Sequence, residues 1–515
     1  MTGQSLTAKS AKNSVVALLF YAVNLILQFV SRKVFIDYLG EDILGLNTTL
    51  SSILQFLNIA ELGIGSAIGY TLYKPLYNSD TDAINEIVSL QGWLYRKIAT
   101  VIIIASAILM LLFPWIFAKT DLPLWFSYST YAVLLFSSLL GYFVNYRQIV
   151  LSADQKEYKI QYSYKAAVLM KLICQIIFIR YSEHGYIWWL VLEAVFAVIA
   201  SLLLRTTVKR TYPFLKSSEL SGKELMSKHP VVWTKTKQLF FHKIGGVVLD
   251  KVSPIIIYGL TTLELVAIYG NYMLIMSGVF SLISAIFNSM NAGVGNLVAS
   301  SDTERIKKVF NELFSIRFLI TSVICFCMYT LTQPFMEIWM GADMLLDETC
   351  LIIFIATTFI KLNRLTADAF INAYGLFSDI WAPLTEALVN IGLSIVLGKL
   401  WGLKGVLSGV LISTFLIIFC WKQYYLYRDG FRTSFAGCIK LYIIHIIPAA
   451  IAFPIISGLY DIIIQREITG MVSWFGHACI YAGLSAIVLG LLLSVFTPGM
   501  RMFLQRMRRI IGNVF

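Results

Sequence analysis

The chain has 515 residues, of which 58% are hydrophobic and only 14% charged, with a formal net charge of +12 and a mean hydropathy of +0.75. Soluble proteins carry roughly 25% charged residues, so a surface of this composition must meet lipid. Soluble enzymes, disordered chains and secreted disulfide scaffolds are excluded on that ground.

A spanning helix needs about 20 mainly apolar residues, and about fourteen such runs are predicted in chain order. They cover 13–38, 44–73, 88–118, 124–150, 160–181, 185–207, 236–260, 264–298, 308–337, 347–374, 379–400, 403–427, 437–460 and 471–497. The fold class is therefore an all-α integral membrane protein, with two pseudo-symmetric six-helix lobes plus two C-terminal helices. The layout reads as an N-lobe at 1–207, a basic cytoplasmic linker at 208–235 and a C-lobe at 236–428, followed by two further spans within 429–500 and a basic tail at 501–515. No small-residue cleavage site follows the first run, which is read as a retained span. With both termini cytoplasmic, the inner connections collect most of the Lys and Arg, as the positive-inside rule requires. The dense stretch from Arg205 to Lys243 and the tail cations Arg501, Arg506, Arg508 and Arg509 are part of that set. They account for the net charge without a nucleic-acid partner and point to anionic lipid instead.

The seven cysteines form no CxxC pair, and the five histidines are scattered without metal-ligand spacing. Neither set suggests a metal or redox site. The chain also lacks GxxxxGK[ST], so no ATP-binding loop is expected.

A weak internal repeat relates SRKVFIDYLGEDILGLN at 31–47 to LDKVSPIIIYGLTTLELVAIYGN at 249–271. Polar residues recur on one helix face in both copies. Asn47, Ser51, Gln55, Asn58, Glu61 and Gly65 are spaced 4, 4, 3, 3 and 4; Ser277, Ser281, Ser284, Asn288, Asn291 and Gly295 are spaced 4, 3, 4, 3 and 4. The first span adds Tyr21, Asn24, Gln28 and Arg32, and the seventh adds Gln238, His242, Gly246, Asp250 and Ser253. Two readings stand: interhelical packing through small and polar residues, or a water-filled cavity lined by corresponding spans.

Ionisable residues at membrane depth are expensive and tend to be functional. Arg32, Lys33, Lys251, Lys361 and Arg364 are the candidate anion-binding cations. Glu61 and Asp250 are candidates for H+ or Na+ coupling, and no other cofactor is expected. Lys171, Glu193 and Glu386 also fall within predicted spans. Plainer readings remain: Arg364 and Asp368 are an i,i+4 pair that can neutralise itself, Arg32 and Lys33 can snorkel to the interface, and Glu61 can be a packing acid.

The stretch FIDYLGEDILGLNTTLSSILQFLNIAELGIGSAIGYTLYKPLYNSD resembles the N-terminal signature of bacterial polysaccharide flippases of the O-antigen (Wzx-like) type. The match lies mainly in LG-x4-GLN at 39–47, ELGIGSAI at 61–68 and LYKPL at 72–76. Those proteins belong to the multidrug/oligosaccharidyl-lipid/polysaccharide exporter superfamily, which also holds drug extruders and lipid II flippases. The resemblance implies, without enzymatic activity, movement of an undecaprenyl-pyrophosphate-linked oligosaccharide across the bacterial cytoplasmic membrane by alternating access. It also implies cavity cations that meet the pyrophosphate, a tail groove beside the last two spans, and a polymerase with chain-length machinery as partners. The alternatives are a drug extruder or lipid II flippase on the same fold, and a membrane glycosyltransferase using a polyprenyl-linked donor.

Overall fold

The computed structural model describes residues 6–288, 291–300, 302–376, 378–464 and 467–512. The chain is 88% helical, and no strand occurs among the described residues. Helix is what lipid demands, because each backbone N–H and C=O must be satisfied within its own segment. Among the described residues, eleven helical stretches are long and apolar enough to cross a membrane. Their outward faces carry side chains such as Leu19, Ile26, Val101, Leu388, Ile487 and Leu491, all more than half exposed. By contacts the chain separates into two compact units, Met1–Gly270 and Asn271–Phe515.

In the first unit, α1 (Leu6–Leu39) ends at Gly40, whose φ of 89° suits glycine. α2 (Glu41–Leu57) opens on Glu41 and Asp42, which favour a helix N-terminus. The predicted span 44–73 is not one continuous helix. After α2 a 3-10 turn runs over Asn58–Glu61, Gly63 takes φ 92°, and α3 (Ile64–Asn78) begins. The break accommodates another helix: a Cβ on Gly63 would lie 2.7 Å from the Thr236 carbonyl oxygen.

α4 (Thr81–Leu111) is capped by Asp80, which accepts from the Ala83 N–H at 3.0 Å. α5 (Leu124–Phe143), α6 (Glu157–Tyr181) and α7 (Gly185–Thr211) complete the first six predicted spans. The linker then folds down on α4 instead of hanging free. Asn85 donates to the Phe214 carbonyl and accepts from the Lys216 N–H at 2.9 Å. Ser89 accepts from the Ser218 N–H at 2.8 Å. The short helix α8 (Gly222–Lys228) starts with a reciprocal cap between Ser221 and Glu224. At its end Glu86 meets Lys228 at 2.6 Å and His229 at 3.0 Å.

The predicted span 236–260 is divided between α9 (Pro230–Lys251) and α10 (Ser253–Leu260). Pro254 enters α10 in its first turn, where its missing N–H costs least. α11 (Leu263–Asn288) follows, and its first turns belong to this unit. A Cβ on Gly45 would collide with the Leu263 backbone, so α2 and α11 touch there only because of glycine.

In the second unit, α12 (Asn291–Ser300) precedes α13 (Thr303–Met340), which Asp302 caps. α14 (Glu348–Tyr374) begins at the Asp347 cap and ends on Gly375 at φ 67°. α15 (Trp381–Thr414) reverses at Trp401 and Gly402. Ser394 donates to the Val406 carbonyl at 3.2 Å, and Asn390 to Ser413 at 3.2 Å, so the two arms run back to back. These arms are the predicted spans 379–400 and 403–427. Lys404, just past the turn, reaches Asp347 at 3.3 Å.

α16 (Ala436–Ile463), α17 (Met471–Phe496) and α18 (Pro498–Gly512) complete the unit. Its core is aromatic. Phe310, Phe314 and Phe318 stand one helical turn apart on α13; Phe310 packs on Phe370 and Phe431, Phe314 on Tyr442 and Phe318 on His445, at ring separations near 5 Å. His445, fully buried, bonds to Ser315 at 2.8 Å and ties α16 to α13.

Candidate functional site

The first unit carries most of the predicted site residues. Asn24 and Gln28 on α1, and Asn47 and Ser51 on α2, are half-buried, and Ser51 donates to Asn47 at 3.4 Å. At the far end of α1, the Arg32 guanidinium donates to the Ala267 carbonyl of α11 at 3.4 Å and lies hard against Gly270. It is therefore held by α11 and does not simply reach for the interface. Lys33 is paired with Asp37 at 2.8 Å on the outer face of the same helix. Adjacent in sequence, the two cations diverge in space. Lys251 is half-buried at the end of α9 and makes no ion pair among the described residues.

Glu61 sits at the α2–α3 break inside a tyrosine nest. Tyr95 of α4 donates to its carboxylate at 2.5 Å. Tyr142 of α5 donates to Asn58 at 3.0 Å, and Asn58 donates to Ser138 at 3.3 Å. The Tyr95 and Tyr142 rings meet edge to face at 5.4 Å. A Cβ on Gly65 would stand 3.4 Å from the Tyr95 hydroxyl, so the glycine leaves the nest room. Gln91, one turn before Tyr95, is 2% exposed and its amide oxygen has no hydrogen-bond partner. Among the described residues no Lys or Arg pairs with Glu61, and its carboxylate is held by the Tyr95 hydroxyl. The helical stripe pointed to Glu61 and Asn58; the tyrosines and Gln91 come from other spans and carry no signal in their own periodicity.

Lys171 and Glu193 meet at 2.7 Å between α6 and α7, with Gln175 donating to the same carboxylate at 3.1 Å. They form a closed interhelical pair.

The second unit brings Arg364 to Asp368 at 2.7 Å on α14, the self-neutralising geometry. Lys361, Arg364 and Lys422 are the cations acting electrostatically on Glu386, which is 5% exposed. Lys422 itself pairs with buried Asp379 at 2.6 Å, where Trp421 also donates. Arg317 of α13 was not singled out by sequence. It is 5% exposed, lies 3.9 Å over the Phe287 ring, and leaves two of its nitrogens without hydrogen bonds. Its only sequence signal is an isolated arginine well inside an apolar run. A cavity of about 480 Å³ opens separately between α13, α14 and α16, rimmed by Tyr329, Gln333, Glu348 and Phe453.

The side chains of Asp250, Asn288 and Asn291, and of Gln238 and His242, lie outside the described residues. Among the described residues no group of three or more His, Cys, Asp or Glu gathers as a metal site.

No protein-family model matches the chain, and no curated protein matches it. Its fold is similar to solved transporters. An inward-facing multidrug-resistance MATE family transporter of the MOP superfamily aligns with TM-score 0.62 and 12% identity, over 81% of this chain and 98% of that one. The lipid II flippase MurJ, in an inward closed conformation, aligns with TM-score 0.63 and 16% identity, over 94% of this chain and 98% of that one. A MOP superfamily transporter from Pyrococcus furiosus aligns with TM-score 0.52 and 10% identity, over 83% and 97%. At these identities the likeness is one of fold alone.

Proposed function

We propose that this MOP-fold membrane protein flips a polyprenyl-pyrophosphate-linked oligosaccharide from the inner to the outer leaflet of a bacterial cytoplasmic membrane. The glycan serves a cell-surface polysaccharide, and both termini face the cytoplasm. The observation that carries this reading is the extent of the fold match. The lipid II flippase covers 94% of this chain against 81% for the drug transporter, so the shared fold takes in more of the chain with a lipid-linked-glycan flippase. The N-terminal signature favours the polysaccharide branch, and the half-buried cations fit a pyrophosphate, which prefers Arg and Lys donors. Arg32 and Lys251 within the first unit are assigned to headgroup binding, and Lys361 and Arg364 are assigned separately to anion binding within the second unit. The polar stripe of Asn24, Gln28, Asn47, Ser51 and Asn58 is assigned to the sugars, and Glu61 to a coupling H+ or Na+.

The test is reconstitution of the full chain in proteoliposomes loaded with a polyprenyl-pyrophosphate oligosaccharide, read by lectin access to the outer leaflet. Parallel vesicles carry lipid II or a cationic drug. Lectin access that depends on the protein, with no drug extrusion, supports the reading. Drug extrusion without glycan flipping overturns it, and flipping of lipid II alone moves the assignment to that cargo.

A further inference from the structure

α18 has three distinct faces. Gly499, Phe503 and Arg506, at i, i+4 and i+7, face the protein: a Cβ on Gly499 would collide with the Asn311 carbonyl of α13, Phe503 packs on the core, and Arg506 meets Glu312 at 2.8 Å. Glu312 is 7% exposed, so this pair latches the helix to α13. Next round the wheel, Leu504 and Met507 form an apolar strip left open on its outer side, 41% and 38% exposed among the described residues. On the third face Arg501, Gln505 and Arg508, again at i, i+4 and i+7, are all exposed. Arg501 and Arg508 have no acidic partner among the described residues.

An uncovered apolar strip bordered by an unpaired basic strip is the geometry of a helix lying in a membrane interface. The break that starts α18 fixes this pose. Thr497 leaves the helical region, Pro498 opens the new helix, and Met500 is buried beneath it. The helix is thus anchored by its first turns before any lipid arrives.

We propose that α18 is a docking site for acidic phospholipid. Arg501, Gln505 and Arg508 hold the headgroup phosphate while Leu504 and Met507 receive the acyl chains. Glu312 is a positioning residue that holds the helix through Arg506. Lysine- and arginine-rich segments gain about 1 kcal/mol per cation at an anionic surface, so losing two cations lowers affinity about tenfold to thirtyfold.

The full-length protein is titrated with phosphatidylglycerol or phosphatidylcholine and the bound lipid counted by native mass spectrometry. Phosphatidylglycerol should bind preferentially, and Arg501→Gln/Arg508→Gln should weaken it about tenfold or more at unchanged thermal stability in detergent. The control Arg305→Gln/Lys308→Gln, on exposed cations of α13, should leave it unchanged. Glu312→Gln should also weaken binding, although it removes a negative charge. Equal binding of both lipids, equal loss in the control, or tighter binding by Glu312→Gln would each overturn the proposal, the last by showing diffuse electrostatics without a latch.

Discussion

Arg32 and Lys33 show how little sequence adjacency says about chemistry. Lys33 has its counter-ion one turn away, whereas Arg32 directs a donor to the Ala267 carbonyl of α11. In the lectin assay Arg32→Ala should slow flipping roughly ten- to a hundredfold, the loss of one charge-assisted contact. Arg32→Lys should be milder because it keeps the charge without the planar fork. Lys33→Ala should stay within about twofold, as expected for an exposed ion pair. For Glu61, the Gln variant should remove any response to an imposed H+ or Na+ gradient, while Tyr95→Phe should alter that response and retain flipping. An unchanged gradient response in Glu61→Gln would make the carboxylate a packing partner for Tyr95 and nothing more. The sequence exposed these residues because a charge or polar stripe within an apolar run is conspicuous. It did not expose their partners: the pairing of Lys171 with Glu193, and of Lys422 with Asp379, depends on how different spans meet.

The same distinction governs the elements. The reversal at Trp401 and Gly402 was legible because a short, less apolar stretch interrupts two full-length runs. The break at Gly63 was not, because the polar residues around it keep helical spacing and the cause is the approach of α9. Gly63→Ala should destabilise the protein by about 1–3 kcal/mol, combining left-handed backbone with a steric clash, measured as a lowered Tm in detergent. The α8 cap offers a pH test. The Ser221 backbone N–H, followed by its hydroxyl, holds the Glu224 carboxyl below its ordinary value of 4.5. A depressed acid stabilises the folded form above its ordinary value and loses that contribution as pH falls through the lower folded one. Protection of the α8 amides from hydrogen exchange should therefore be constant at neutral pH and decline only as pH falls below the ordinary value of 4.5. Ser221→Ala should weaken that protection and flatten its pH dependence.

For the whole molecule, the membrane reading follows from composition alone, since lipid leaves helix as the workable backbone for such runs. Orientation is the part that composition only suggests. Leu220, exposed in the folded-down connection, provides the check. As Leu220→Cys in a cysteine-free background it should react with an impermeant thiol reagent only after the inner face is opened; labelling in intact cells would invert the topology. The contact boundary at Gly270–Asn271 falls inside α11, where one glycine and one asparagine leave the helix unbroken, so it has no counterpart in a loop or linker.

The connection between α7 and α9 is pinned to α4 at 214–218 by Asn85 and Ser89, again where Gly222 lies hard against the Trp93 ring, and at 228–229 by Glu86. It therefore behaves as a cord drawn taut and tied off, with its slack confined to the few residues between the knots. Extra length inserted there, beside Leu220, is absorbed as a bulge that leaves the knots tied. Removing even a few residues has no reserve to draw on and must pull one knot open, so this polar loop tolerates lengthening far better than shortening.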